Sequence, residues 1–126
     1  MNHGKRCYAV IVWDSLGEGG PRRVLLVHHE RHMVRQIQVT LLRQGHHLTI
    51  VCSCEEAIDK ARSTPYHVVM LDAALPGGRC ANAIRELRML PNMLGIPIWV
   101  IGAEKEDELT LKDAAFGPLH VLSRKA

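Results

Sequence analysis

With 126 residues, 47% of them apolar and 23% charged, the chain has the length and balance of one globular domain with a single core, which argues against a disordered chain or a fibrous repeat. A net charge of +3, spread over scattered Lys and Arg with few aromatic neighbours, argues against a nucleic-acid partner. The apolar runs stop far short of the roughly 20 residues that span a bilayer, so no membrane segment is expected.

Residues 1–21 read as an N-terminal extension. YAVIVW (Tyr8–Trp13) predicts an extra strand and DSLGEGGP a flexible linker, and the apolar run ends in Trp13-Asp14 with no small-residue cleavage site, unlike a secretory leader. From residue 22 two periods alternate. Val24–Val27 is a short, wholly apolar run, and His28, His29 and Glu30 follow it. Val34, Ile37 and Leu41 then share a helix face that Gly45 is placed to end. A second strand covers Leu48–Val51. Cys52-Ser53-Cys54 lacks the spacing of a zinc knuckle or redox pair and reads as packing; with Cys7 and Cys80 these are reduced thiols of a cytoplasmic protein.

Ser53-x-x-Glu56 is a capping box opening the helix EEAIDKARS, which stops before Pro65. Val68–Leu71 is the third strand, ending in Asp72, and Cys80, Ile84 and Leu87 share the face of a third helix. Ile98–Ile101 is the fourth strand. EKEDELTLKDAAF opens acidic, as suits the positive end of a helix dipole, and Gly117 closes it before the fifth strand, Leu119–Leu122. Five apolar strands alternating with four helices predict an α/β domain over 22–126, a doubly wound parallel sheet. The functional crevice then lies beyond the strand carboxyl ends, at His28-His29-Glu30, Cys52, Asp72, Gly102 and Arg124. Because the sequence stops at Ala126, one sheet face is expected to carry only the first helix, with apolar surface left for the extension or a second copy to cover.

The stretch VVMLDAALPGG, with Pro76 four residues after Asp72, and the ordered elements through PIWVIGA to GPLHVLSRK, resemble response-regulator receiver domains (CheY-like) over about 22–126. That resemblance implies a flavodoxin-like fold with strand order 2-1-3-4-5, here without the family's last helix. It also implies site roles, which fall on this sequence unevenly. Asp72 takes the place of the phosphoacceptor. The acidic pair that holds Mg²⁺ falls on His28 and His29, the hydroxyl position on Gly102 with Ala103 beside it, the lysine on Arg124, and the aromatic switch on Val121. Lys125 occupies the family's proline position.

An aspartate accepts a phosphoryl group only where cations offset the crowded negative charge. Mg²⁺ wants oxygen donors, which imidazole replaces poorly, and the fork of Arg124 is not a compact ammonium. The resemblance therefore implies an atypical, non-enzymatic receiver (a pseudo-receiver) in two-component signalling, with its Mg²⁺ site lost, no resident cofactor, and a sensor kinase, output or adaptor protein as partner. A homodimer through the face lacking the last helix is a further expectation. One alternative keeps phosphorylation of Asp72 by a histidine kinase, with Glu30 recruiting the metal. Another is a metal- or pH-sensing domain in which His28, His29 and Asp72 hold Zn or Ni, or titrate near neutrality. A zinc-protease motif is ruled out, because Glu30 follows His29 but His32 stands three residues on rather than four. His46, His47 and His67 read as solvated loop residues, Trp99 as core, and His120 is assigned no role.

Overall fold

The computed structural model describes residues 20–75, 80–103, 111 and 117–123. The extension ahead of Gly20, Pro76, the fourth predicted helix apart from Leu111, and Arg124 and Lys125 lie outside those residues.

Five strands form one parallel sheet: β1 (Arg23–Val27), β2 (His47–Val51), β3 (Val68–Asp72), β4 (Ile98–Ala103) and β5 (Leu119–Ser123), in the order β2-β1-β3-β4-β5. The expected strand order is thus observed, with each strand reaching one or two residues beyond its apolar run. Among the described residues three α-helices flank the sheet, α1 (Arg31–Arg43), α2 (Cys54–Ser63) and α3 (Cys80–Arg88), with a single 3-10 turn at Pro91–Met93.

The central strands β1, β3 and β4 are almost wholly apolar because both of their faces are covered, whereas the edge strands admit polar residues, Thr49 in β2 and His120 in β5. On one face Leu25, Val27, Val69, Leu71, Ile98 and Val100 pack against α2 and α3. Ala57 and Ala61 line the inner side of α2, and Ile84 and Leu87 that of α3. Leu111 is buried in the same cluster. On the other face α1 sets Ile37 and Leu41 against Val24, Leu26, Val68, Met70, Trp99 and Ile101. These six sheet residues are at most 6% exposed. Trp99 stacks on the ring of His120, centroids 4.3 Å apart.

Local chemistry sets the helix ends. The Ser53 hydroxyl accepts the Glu56 N–H at 3.2 Å, as the capping box predicts. At the end of α1, Gly45 takes φ +83°, a left-handed backbone that glycine adopts without a Cβ clash, and the His46 N–H returns to the Leu41 carbonyl.

Two features differ from the sequence reading or escape it. His46 is not solvated but buried, and its Nδ1 accepts the Arg22 N–H at 2.8 Å. His67, which is exposed, accepts the Arg23 N–H at 2.8 Å, so the two imidazoles tie the entry of β1 to the turns before β2 and β3. Arg88, at the end of α3, is also buried. Its guanidinium donates to the carbonyls of Met93 (3.0 Å), Ile96 (2.6 Å) and Pro118, joining α3 to the approaches of β4 and β5. A Cβ on Gly117 would stand 3.1 Å from the Arg88 Cζ, so glycine there leaves room for the guanidinium.

Candidate functional site

The site lies at the carboxyl ends of β1, β3 and β4. His28 directly follows β1, and its N–H donates to the Val51 carbonyl at 3.0 Å, which carries the pairing one residue past the strand. Asp72 ends β3, paired in register with Ile101 of β4, and is 4% exposed. The Ala73 N–H donates to the Ile101 carbonyl and locks the β3 exit beside β4. A rigid sheet therefore positions two of the three polar side chains.

Both oxygens of the Asp72 carboxylate accept a hydrogen bond. Its Oδ1 accepts the Ala74 N–H at 2.9 Å, and its Oδ2 lies 2.9 Å from His29 Nδ1. Since a carboxylate only accepts, His29 carries its proton on Nδ1 in this bond. His28 Nδ1 stands 3.5 Å from the same Oδ2, but it accepts the Glu30 N–H at 3.1 Å. That nitrogen is therefore unprotonated, and His28 is a neutral Nε2–H tautomer. Burial pushes its pKa below the ordinary histidine value; the Asp72 charge opposes the shift and His29 adds to it. The two rings lie almost parallel, centroids 5.9 Å apart and planes inclined by 18°.

Glu30 does not join this group. It is the N-cap of α1, its carboxylate accepting the N–H groups of His32 (2.9 Å) and Met33 (3.0 Å). These bonds hold its carboxyl below the usual glutamate range. Among the described residues the potential metal donors that come within 4.8 Å of one another are those of His28, His29 and Asp72.

At the end of β4 the register against β5 slips between Ile101 and Ala103, leaving Gly102 as the extra residue of a bulge with φ +75°. The left-handed backbone explains glycine here, and the space where its Cβ would sit is open to 4 Å. Ala103 is buried, so neither residue offers a side-chain hydrogen bond. Val121 pairs with Val100 and packs against the α2/α3-side core rather than lining the site. Arg124 falls outside the described residues.

Beside the histidines a cavity of about 570 Å³ runs between α1 and the β2 edge, lined by His28, His29, Arg31, His32, Val34, Arg35, Gln38, Ile50 and Cys52. The sequence reading missed Arg31 and Arg35. Their four-residue spacing, one helical turn, was the available signal.

The described residues do not fit Mg²⁺. That ion takes near-octahedral oxygen donors, whereas the cluster offers one carboxylate and two imidazoles.

No protein-family model matches the chain, and no curated protein sequence does. Solved structures match closely in shape. The receiver domain of a sensor histidine kinase from Pseudomonas aeruginosa PAO1, solved with magnesium coordinated in its active-site cleft, shares 24% identity at a TM-score of 0.72, over 86% of this chain and 88% of that one. Vibrio cholerae chemotaxis protein CheY4 shares 20% identity at 0.73, over 82% and 87%. Thermotoga maritima response regulator TrrA, solved with Mg²⁺ and beryllofluoride, shares 25% identity at 0.67, over 82% and 89%.

The molecule is thus a doubly wound α/β domain with its polar cluster at the strand carboxyl ends. More narrowly, its fold is that of response-regulator receiver domains, with three helices among the described residues.

Proposed function

We propose that residues 22–126 work as a receiver-type module of two-component signal transduction, acting through contacts with a sensor kinase, output or adaptor protein and without Mg²⁺-dependent phosphorylation of Asp72. The fold supports the broad role. One observation supports the narrower one: the His29 Nδ1–H occupies the Asp72 oxygen at 2.9 Å, and His28 stands behind it at 3.5 Å. To attack phosphorus, Asp72 needs a cation beside it that holds the phosphoryl oxygens. Here imidazoles stand around the nucleophile, Gly102 offers no hydroxyl, and the donor set suits Mg²⁺ badly. The His29 Nδ1–H bound to the carboxylate ties the β3 exit to the loop after β1, which suits a surface read by a partner rather than switched by chemistry.

The test is incubation with Mg²⁺ and a small acyl phosphate, followed by intact mass. The reading predicts an unmodified chain. A phosphoryl adduct that disappears in Asp72→Asn overturns it in favour of a phosphorylated receiver.

A further inference from the structure

We infer that His28, His29 and Asp72, gathered at the carboxyl ends of β1 and β3, form a binding site for a divalent transition-metal ion of the zinc class. This deepens the reading above and rests on it, since an Asp72 free of Mg²⁺ and phosphate is available as a ligand.

The donors are already gathered. His29 Nδ1 and His28 Nδ1 lie 2.9 and 3.5 Å from the same Asp72 oxygen. Donors about 2.1 Å from a shared ion are separated by roughly these distances at bond angles near 90° and 110°. Two imidazoles with one carboxylate are borderline ligands that favour Zn²⁺, Ni²⁺ or Cu²⁺ over the hard Mg²⁺.

The surroundings supply what such a site needs. The Ala74 N–H holds Asp72 Oδ1 and so orients Oδ2 towards the histidines, as an outer hydrogen bond orients a metal-bound carboxylate. The His28 Nδ1 lone pair is unprotonated already. The His29 side chain is 42% exposed, and the adjoining cavity gives an ion an entry path and room for water in its remaining positions.

On binding, the Nδ1 proton of His29 leaves that nitrogen, to its own Nε2 or to solvent, and the freed Nδ1 lone pair forms the metal bond. His28 Nδ1 exchanges the Glu30 N–H for the ion. Because Glu30 caps α1, metal occupancy is linked through that N–H to the first turn of the helix lining the cavity.

The experiment adds Zn²⁺ or Mg²⁺ separately to the full chain and follows thermal melting, with Co²⁺ absorption reporting the ligand set. Zn²⁺ is expected to raise the Tm by several degrees and Mg²⁺ to leave it unchanged. His29→Ala (a half-exposed position) and Asp72→Asn should each abolish the zinc shift, whereas Cys52→Ser should keep it. His28→Gln gives a second buried-side variant in which loss of the Co²⁺ band is expected. An absent zinc shift, or one that survives both His29→Ala and Asp72→Asn, overturns the inference. So does a shift lost with Cys52→Ser. Failure of the signalling reading shows separately, as a phosphoryl adduct on Asp72 in the mass spectrum.

Discussion

His29 Nδ1 and Asp72 Oδ2 stand 2.9 Å apart, joining the loop after β1 to the buried end of β3. The two ends of this bond differ in environment, and so should the cost of losing either. His29→Ala removes a half-exposed partner screened by solvent and should destabilise the fold by less than about 1 kcal/mol. Asp72→Ala strips the buried acceptor from the Ala74 N–H as well and should cost about 1–3 kcal/mol. Urea midpoints at neutral pH measure both. Equal losses would mean that the His29 bond, not the Ala74 bond, holds the carboxylate.

Gly102 tests whether the missing hydroxyl is a matter of space or of backbone. The site has room for a Cβ, but φ is +75°. Gly102→Thr places a β-branched residue in the left-handed region and should lower stability by roughly 1–3 kcal/mol. An unchanged urea midpoint would show that the bulge relaxes at no cost.

Arg88 predicts a large stability effect far from the site. Its guanidinium satisfies three main-chain carbonyls around the starts of β4 and β5. Arg88→Met keeps the aliphatic stem but leaves those acceptors without their donor, and should cost about 3 kcal/mol or more. Arg88→Lys, with one ammonium to serve carbonyls on three segments, should recover only part of the loss. Both follow from denaturant unfolding.

The pH response of stability has a defined sign. His46 and His28 both have folded pKa values below the ordinary 6.5, chiefly through burial, with the Arg22 charge adding for His46. Below pH 6.5 the unfolded chain takes up protons that the folded chain resists. Stability should therefore be maintained above pH 6.5, fall as the pH drops from there towards the folded pKa values, and level off beneath them. His46→Asn, which keeps an acceptor for the Arg22 N–H, should flatten part of that fall. Glu30 acts in a more acid window. Its folded pKa is depressed, so its contribution is present above the ordinary 4.5 and lost as the pH falls through the folded value. Melting temperatures across these windows check the assignment, and a Tm rising between pH 7 and 6 would contradict it.

The strands were legible because short, mostly apolar, β-branched-rich runs stand between polar turns, and the helix ends because Ser53 and Gly45 act locally. Asp72, His28 and His29 could be placed at the strand ends, since strand carboxyl termini define the crevice. Their contacts were not legible. Alternation along an extended strand predicts that neighbouring histidines diverge, yet both rings approach one carboxylate because the chain turns there into α1. The cap formed by Glu30 was hidden by its charge, which suggested a metal ligand. Burial of His46 and Arg88 depends on segments 24 and 30 residues away, contacts that no local pattern encodes.

On the proposed reading, this strand-end site does not assemble a Mg²⁺-supported phosphoryl group on Asp72. Beryllofluoride tests it most directly, because the Thermotoga relative was captured with that ligand and Mg²⁺. Fluorine NMR of the chain with beryllofluoride and Mg²⁺ should show free ligand alone, identical with and without the metal. A protein-bound resonance that requires Mg²⁺ and vanishes in Asp72→Asn would show instead a site competent for aspartyl phosphorylation.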